Sequence, residues 1–381
     1  MELCTAGLSD GLWRSAAEAD THGMRDLLPT LTEWSEGEPL VAVATVVGTS
    51  GSTPRPMGAR LLVSRDGRMA GSVSGGCLES AVVLEAQATI AGDAPPRLLH
   101  YGISDEMGWA VGLSCGGEVD IFVETLESDG SDPVIEEVRR AIETSRPVAL
   151  LTALDGDHAG NRAAATADGD LVGSLGGSSS ASEVVAAARP RIASGLPGVE
   201  EIAGTRVFVD PIVPAPQLVV IGAVHIAVAL TTMARAAGFT VSVVDPRTAF
   251  NNVERIPDAE RLVTAWPDEA LPRFELGPRD AAVCLAHDPK FEDPALSALL
   301  RTETGYIGAI GSRGTHAKRV ARLRDAGFTD SDIARIHSPV GLDLGAATPE
   351  EIAIAILAEI VAVRRGRNAG SLSAVAAAPV G

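Results

Sequence analysis

Short apolar runs separated by turn residues characterise the first half of the chain. The run Leu40–Val47 and the alternating segment Glu118–Glu124 predict strands, and Asp66-Gly67 predicts a hairpin turn. Helical spacing of apolar residues predicts helices over Asp26–Trp34 and Leu78–Ala88. The same plan recurs farther along, with predicted elements at Pro147–Ala153, Ser182–Ala193 and Thr205–Val209.

From Gln217 onwards, apolar strands alternate with helical patterns, which is typical of a parallel, doubly wound sheet. The first strand, Leu218–Ile221, precedes a predicted helix over Ile226–Ala237. Further strands are predicted at Thr240–Val244, Arg261–Val263, Ala281–Ala286 and Tyr306–Ala309. The last helix is predicted to begin after a Thr348 cap, with Pro349 in its first position and Glu351 completing a capping box, and to run to about Arg364.

One sequence pattern occurs twice in the first half without a gap. The first copy reads Gly58-Ala59-Arg60, Asp66-Gly67 and Gly71-Ser72-Val73, and the second reads Gly160-Asn161-Arg162, Asp168-Gly169 and Gly173-Ser174-Leu175. Ser179 stands in the second copy where the first has Cys77, and the loop Thr49–Pro56 has no counterpart. Residues shared by both copies are therefore interpreted as scaffold, and features of the first copy alone as candidates for chemistry.

These patterns predict an α/β protein: an N-terminal mixed α/β domain with an internal pseudo-repeat, and a C-terminal Rossmann-like domain with a doubly wound parallel sheet. Pro214 and Pro216 mark the linker. We expect a loose leader at 1–23, the N-terminal domain at 24–214 with copies at about 39–128 and 147–212, the Rossmann-like domain at 217–367 and a disordered tail at 368–381.

Composition narrows the class of protein. The net charge is −19 and aromatic residues make up 3%, which disfavours nucleic-acid binding through a basic stripe or stacked rings. The sequence shows no apolar run long enough for a membrane helix and no basic, apolar signal segment after Met1. Its four cysteines have neither zinc-ligand nor C-x-x-C spacing, so we expect a reduced, cytoplasmic chain with no metal bound directly.

Cys77 is the first candidate site residue. Its predicted position near a helix start favours the thiolate, the form that acts as nucleophile or metal ligand. Gly75 and Gly76 would admit a bulky anionic ligand close to the backbone, and Ser72 and Ser74 supply hydroxyl donors. The alternative is that Cys77 is a small, buried core residue, as most free cysteines are.

Two further loops carry candidate chemistry in the first half. Gly112–Gly117 is glycine-rich and contains Cys115, either a resolving thiol, sulfur carrier or ligand that pairs with Cys77, or a packed residue of a tight turn. The loop Ser50–Met57 holds Arg55 between two prolines, which suits recognition of an oxyanion, unless it is simply a solvated surface loop.

The turn Gly222–Ala227 follows a strand and opens a helix, as a dinucleotide-binding turn does. Asp245 ends the next strand, where a ribose-binding acid belongs, and His225 would contact a ligand or cap the turn. Val224 occupies the second glycine position of the fingerprint, and its side chain would obstruct a pyrophosphate. The pattern therefore supports the Rossmann architecture more than NAD(P) binding.

Two more loops follow predicted strands at the carboxyl edge of the same sheet, where ligands of open α/β sheets bind. Gly311, Ser312 and Arg313 combine a glycine turn, a hydroxyl, a cation and a helix start, which suits an anion. His287 and Asp288 end the preceding strand, and an isolated pair of this kind is more often structural than catalytic.

Five segments together carry a family resemblance: Thr49–Pro56, Gly71–Glu79 with Cys77, Leu113–Gly117 with Cys115, Gly222–Ala227, and Tyr306–Arg313 with Pro339–Arg364. They resemble the XdhC/CoxI family, the accessory factors of xanthine dehydrogenase and carbon monoxide dehydrogenase. The resemblance implies a two-domain chaperone that binds molybdenum cofactor (molybdopterin) as cargo, assists its sulfuration by recruiting a cysteine desulfurase, and inserts it into an apo molybdenum hydroxylase.

By the same resemblance, Cys77 is the thiol that contacts the cofactor and Cys115 its helper, while Val224 departs from the glycine typical of relatives. We expect an accessory factor and a homo-oligomer rather than a stand-alone enzyme. Two alternatives stay open: an NAD(P)-linked oxidoreductase of the xanthine dehydrogenase system that uses the Rossmann domain, and an assembly scaffold that touches no cofactor.

Overall fold

The computed structural model describes residues 23–102, 117–371 and 373. The chain forms two compact units, with the boundary between Pro214 and Ala215. The first unit contains two five-stranded antiparallel sheets, and the second contains one six-stranded parallel sheet. The predicted fold class, a mixed α/β part with an internal repeat followed by a Rossmann-like sheet, is confirmed. Most of the predicted leader, which contains Cys4, and most of the predicted tail lie outside the described residues. Cys115 also lies outside them, between residues 102 and 117.

The first unit contains four α-helices, a short 3-10 helix (Gly156–His158) and ten strands in the part that the structure describes. The helices are α1 (Met24–Trp34), α2 (Glu79–Ala91), α3 (Pro133–Glu143) and α4 (Ala181–Ser194). The strands are β1 (Leu40–Ser50), β2 (Arg60–Val63), β3 (Met69–Gly71), β4 (Arg97–Tyr101), β5 (Glu118–Glu127), β6 (Val148–Ala153), β7 (Arg162–Ala165), β8 (Leu171–Gly173), β9 (Gly198–Ile202) and β10 (Thr205–Ile212).

The two sheets have the same strand order and the same register. The first is ordered β3-β2-β1-β5-β4 and the second β8-β7-β6-β10-β9. Thr45 pairs with Arg60 in the first sheet, and Thr152 pairs with Arg162 in the second. A helix precedes each sheet (α1 and α3) and another follows each third strand (α2 and α4). The repeated unit is therefore larger than the sequence pattern that revealed it.

Residues shared by the two copies form reciprocal buried ion pairs. Arg60 of the first copy lies 2.5 Å from Asp210 of the second, and Arg162 of the second lies 2.7 Å from Glu124 of the first. Gly160 lies against Pro96, because an added Cβ would come within 3.0 Å of that proline ring. The repeated glycine and arginine positions are thus explained by the contact between the copies, as the scaffold interpretation expects.

Four apolar clusters form the core of this unit, the smallest of which consists of Val47, Phe122, Leu154 and Phe208. The central one joins α1 and α3 with residues of both sheets, including Val43, Leu62, Leu150 and Ala164. Each sheet has a second cluster on its other side, beneath α2 in the first copy and α4 in the second. Helix α2 is therefore fixed against the first sheet, and the residues that lead into it are held by that packing.

The second unit contains six parallel strands, six α-helices and a short 3-10 helix (Leu271–Arg273) among the described residues. The strands are β11 (Gln217–Ile221), β12 (Thr240–Val244), β13 (Arg261–Val263), β14 (Ala281–Cys284), β15 (Tyr306–Ala309) and β16 (Ile336–His337). The helices are α5 (His225–Ala236), α6 (Pro267–Ala270), α7 (Pro289–Leu299), α8 (Arg313–Asp325), α9 (Asp330–Ile333) and α10 (Pro349–Arg364). Strand order is β13-β12-β11-β14-β15-β16, with apolar clusters on both faces.

The last helix begins as predicted. The Thr348 side chain accepts a hydrogen bond from the Glu351 amide, and Glu351 completes the capping box.

Cys284, in β14, is fully buried, and burial raises its thiol pKa to about 12. None of the helices in the described ranges is both long and apolar enough to cross a membrane.

Candidate functional site

The loop that carries Cys77 is organised around the carboxylate of Glu79. Ser72 and Ser74 both donate their hydroxyl hydrogens to it. The backbone amides of Val73, Ser74 and Gly76 donate to the same carboxylate over 3.3, 2.9 and 2.8 Å. The loop between β3 and α2 thus wraps around an anion that belongs to the chain itself.

This arrangement strongly favours the ionised form of Glu79. Partial burial opposes ionisation, but the hydrogen bonds from Ser74 and Ser72 outweigh it and lower the Glu79 pKa to about 2. The second copy has Ala181 at the equivalent position, so the carboxylate is a feature of the first copy alone. Sequence reasoning treated Ser72 and Ser74 as donors to a ligand and missed Glu79, which that same comparison of copies would have revealed.

Cys77 follows the two exposed glycines of this loop. Gly75 and Gly76 have φ of +72° and +111°, which explains why glycine occupies both positions. A Cβ at Gly76 would meet no atom within 4 Å, so the space beside it is open. Cys77 itself is half-buried and packs in part against the cluster beneath α2. Helix α2 begins at Glu79 and not at Leu78, so Cys77 precedes the N-cap residue Leu78.

Features found only in the first copy converge around this loop. Pro54, from the extra loop Thr49–Pro56, lies 3.8 Å from the Cβ position of Gly75. Gly117, the first described residue after Cys115, lies so close to Ser50 and Ser52 that a Cβ would clash with their carbonyl oxygens. Arg55 is half-buried in the same extra loop. Cys115 lies outside the described residues.

A His-Asp pair near this extra loop was not predicted. His100 Nδ1 and Asp120 Oδ1 are 2.7 Å apart, and the His100 side chain is exposed while that of Asp120 is partly buried. Gly48, just before the loop, pairs with Asp120 across the sheet, and a Cβ there would lie 2.6 Å from the carboxylate. The second copy has Glu201 and Arg206 at the corresponding register positions. Because β4 and β9 were not predicted from the sequence, these positions of the two copies could be aligned only in the structure.

In the second unit, the predicted dinucleotide turn has the expected backbone but a different use for its acid. Gly222 has φ of +105°, and Val224 is the N-cap residue of α5. Asp245 accepts hydrogen bonds from the Ala223 amide and from the Arg247 guanidinium. Burial opposes ionisation of Asp245, but the Arg247 hydrogen bond lowers its pKa. His225 is exposed.

The remaining candidate residues follow β14 and β15 at the same carboxyl edge. Asp288 and Ser312 cap α7 and α8, since their side chains accept from the Lys290 and Thr315 amides. His287 is exposed beside Asp288, and Gly311 has φ of +132°.

Arg313 lines a cavity of about 480 Å³ whose other walls include the loop 339–346 that follows β16. In the described part of the chain the Arg313 guanidinium has no ion-pair partner. The loops on either side of the cavity are joined by Arg319, which is completely buried. Its guanidinium donates to the Ile310 carbonyl over 2.7 Å and to the Ser338 hydroxyl over 2.6 Å, and it pairs with Glu292. Arg319 was not predicted as part of this site.

The structure thus assembles the predicted residues into two groups, one in each unit. Ser72, Ser74, Gly75, Gly76 and Cys77 lie in one loop beside the loop of Arg55. The second group lies along the carboxyl edge of the parallel sheet: Gly222, His225, Asp245, His287, Asp288, Gly311, Ser312 and Arg313.

Comparison with known proteins matches both units. Residues 34–102 match the model of the XdhC and CoxI family, and residues 218–360 match the XdhC Rossmann domain. A Bacillus subtilis (strain 168) protein, named as a probable subunit of xanthine dehydrogenase, is 30% identical over 332 residues, which cover 87% of this chain and 95% of the relative. The chain belongs to the XdhC and CoxI family.

Two further similarities extend over most of this family member. The molybdenum cofactor insertion chaperone PaoD of Escherichia coli (strain K12) is 26% identical over 84% of this chain and 83% of its own length. A crystal structure from Bacillus halodurans, described as a xanthine dehydrogenase, is 26% identical, with a TM-score of 0.67 over 92% of this chain and 98% of that one. The range matched by the XdhC and CoxI model contains Cys77 and Glu79, whereas the second copy lies between the two matched ranges.

Proposed function

We propose that this XdhC and CoxI family member binds molybdenum cofactor as cargo and inserts it into a molybdenum hydroxylase of the xanthine dehydrogenase type. A relative over most of the chain is named a molybdenum cofactor insertion chaperone, and two others are named as xanthine dehydrogenase or a subunit of one. The observation that carries the proposal is that the extra loop Thr49–Pro56, which only the first copy has, lies against the exposed glycines that precede Cys77.

Cys77 is the residue we assign to the cargo. A thiolate is a soft ligand that suits molybdenum, and the positive-φ glycines leave open space next to it. Glu79 keeps the backbone of the loop in one conformation by engaging the hydroxyls of Ser72 and Ser74. These serines therefore act by positioning the loop in this proposal, and Cys77 makes the contact.

We propose that the phosphate of the cargo binds at an arginine. Arg55 in the first unit and Arg313 in the second both belong to loops suited to an oxyanion. Arg55 is the one that we assign to this phosphate, because it lies in the same unit as Cys77, in the extra loop whose Pro54 lies 3.8 Å from the Cβ position of Gly75.

Sulfuration is the finer part of the proposal. A cysteine desulfurase would deliver sulfur while the cofactor is held, and Cys115 would assist Cys77 in handling it. Support for this step comes from the family resemblance and from Gly117, which places the chain that follows Cys115 against the extra loop.

Co-expression with an intact molybdopterin pathway tests the cargo, with molybdenum and pterin measured per mole of purified protein. We expect near-stoichiometric retention by the wild type and at least a tenfold loss in Cys77→Ala. Ser179→Ala, at the equivalent position of the second copy, is the matched control and should retain the wild-type amount. Full retention by Cys77→Ala would remove Cys77 from the site, and no retention by the wild type would overturn the chaperone assignment.

The same preparations separate a chaperone from a cofactor-free scaffold. A scaffold would still capture the hydroxylase after both Cys77→Ala and Cys115→Ala, and its capture would not change with cofactor load. The chaperone is expected to activate apo-hydroxylase only when it is loaded.

A further inference from the structure

The outward face of α10 carries an apolar stripe that no described residue covers. Ile354 and Val361 are 49% and 38% exposed, although both are large aliphatic side chains. With Leu357, Ala358 and Met233 of α5 they line an almost wholly apolar groove of about 610 Å³. Exposed apolar side chains that adjoin one another and are bordered by charged residues are typical of protein interaction sites.

A negatively charged residue lies at one end of the stripe and a positively charged residue at the other. Glu350 is exposed in the first turn of α10, and Arg365 is exposed just past its last turn, where it lines the groove. Neither residue has an ion-pair partner among the residues described. Arg364, by contrast, is used within the unit, since its guanidinium lies 4.8 Å from the Phe239 ring centroid.

The spacing of this stripe is the same from either end. Its members are separated by four, three, one, three and four positions, in the order Glu350, Ile354, Leu357, Ala358, Val361 and Arg365. These spacings keep all six residues on one face of the helix. The midpoint lies between Leu357 and Ala358, the acidic end lies on one side of it and the basic end on the other.

We infer that α10 is a two-fold interface at which a second copy of this chain binds. Two α10 helices packed antiparallel about the midpoint bring Glu350 of each copy opposite Arg365 of the other. The same axis brings Ile354 opposite Val361 and Leu357 opposite Ala358, so large side chains face smaller ones. A two-fold interface must be complementary to itself, and this stripe is, in both polarity and charge.

A parallel arrangement, or a partner with a uniformly charged surface, leaves part of this pattern unmatched. A parallel copy would place Glu350 against Glu350 and Arg365 against Arg365. The observed charge complementarity therefore selects the antiparallel second copy as the occupant of the groove. This inference does not depend on the cargo, so it stands or falls separately from the chaperone assignment.

Sedimentation velocity of the full chain over a concentration series tests the interface. We expect a reversible dimer in the wild type. Glu350→Arg places two arginines opposite each other twice per dimer, and should raise the dimer Kd at least about tenfold. Arg365→Glu should do the same through paired glutamates, and Leu357→Asp should abolish the dimer.

The double variant Glu350→Arg with Arg365→Glu is the decisive arm. It restores opposite charges across the interface, so its Kd should return to within about threefold of the wild type. Restoration cannot come from the helix itself, because both changes oppose the helix dipole and together disfavour α10 more than either does alone. Glu303→Arg is the matched control, since it makes the same change in charge at an exposed position outside the groove.

Each result decides the question. A wild type that is monomeric at every concentration overturns the inference, as does a dimer that Leu357→Asp and both single charge reversals leave intact. Failure of the double variant to recover, with its helical circular dichroism unchanged, overturns the antiparallel pairing. If the wild type is monomeric and the hydroxylase alone protects α10 from amide exchange, the occupant is the client and not a second copy.

Discussion

The carboxylate of Glu79 takes the position in the Cys77 loop that a bound phosphate takes in many glycine-rich loops. It collects backbone amides and hydroxyls that would otherwise point at solvent or at a ligand. The donors that the sequence offers to a guest are therefore already used. The part of the loop that a ligand can still approach is its exposed end, at Gly76 and Cys77.

Glu79→Gln should loosen this loop without unfolding the unit. The neutral amide loses charge-assisted hydrogen bonds and turns an NH₂ group toward other donors, which we expect to cost about 1–3 kcal/mol locally. Hydrogen exchange of the amides of residues 73–78 should then accelerate roughly tenfold to a hundredfold. Glu183→Gln is the matched control, because Glu183 serves only the cap at Ser180 in the second copy. If Glu183→Gln accelerated exchange of the amides of residues 73–78 as much as Glu79→Gln does, the central role of Glu79 in this loop would be contradicted.

The same contacts predict how protection of the loop depends on pH. The Glu79 pKa of about 2 lies below the ordinary 4.5, so its stabilisation is complete above the ordinary value and is lost as pH falls through the folded value. The difference in exchange between wild type and Glu79→Gln, corrected for intrinsic rates, should be constant above about pH 5 and shrink toward pH 2. A difference that instead grows on acidification would show that the carboxylate binds the loop in its protonated form.

At the scale of elements, the sequence was sufficient where periodicity was long or a cap was explicit. Strands β12 and β15 and helix α10 have the predicted bounds, because buried parallel strands and a complete capping box leave clear signals. Strand β13 also has the predicted bounds, although it is a short edge strand with no fully buried residue. Strands β4 and β9 were missed because they lie at the edges of their sheets and because apolar and polar residues do not alternate along their sequences. Helix α3 was missed although it is strongly amphipathic, because the repeated sequence pattern begins only after it, at Gly160.

The candidate site, too, could be predicted from the sequence only in part. The comparison of the two copies directed attention to the first-copy features, and the structure brings the extra loop close to Gly75. Contacts such as Glu79 with Ser72 or His100 with Asp120 were not predicted, since no local pattern reveals which side chains meet across a loop or a sheet. The shared arginines likewise gave no sign in the sequence that each pairs with a carboxylate of the other copy.

These crossed ion pairs predict a large difference between two arginine substitutions. Arg162→Met leaves the carboxylates of Glu124 and Asp132 buried without their partner, which should lower the free energy of unfolding by about 3–5 kcal/mol. Arg206→Met breaks an exposed pair with Asp155 and should change it by about 1 kcal/mol or less. Denaturant unfolding monitored on the full chain provides the comparison. Similar losses in both variants would show that the crossed pairs do not hold the two copies together.

At the scale of the whole molecule, the choice between a cargo chaperone and an NAD(P)-linked oxidoreductase depends on what the Rossmann-like unit binds. That unit has the strand order and the glycine turn of a nucleotide-binding fold, but two of its residues oppose the usual use of that turn. Val224 occupies a position that a pyrophosphate needs to approach, and Asp245 is held by Arg247 and by the Ala223 amide. The fold of this unit therefore favours nucleotide binding, whereas Val224 and Asp245 disfavour it. Function is argued from the residues of a site and not from the fold, so we give the residues more weight.

We accordingly expect neither NADH nor NADPH to stabilise the protein. A ligand present at 100 times its Kd raises the free energy of unfolding by about 2.7 kcal/mol, which a thermal melt of the full chain readily detects. The melting temperature should stay constant with either nucleotide, whereas protein purified with molybdenum cofactor should melt above its cofactor-free form. Val224→Gly is the informative variant, because a stabilisation by NADH that appears only after this change would show that the valine side chain excludes the pyrophosphate. A clear stabilisation of the wild type by NADPH or NADH would instead favour the oxidoreductase, since a cargo chaperone has no use for a hydride donor.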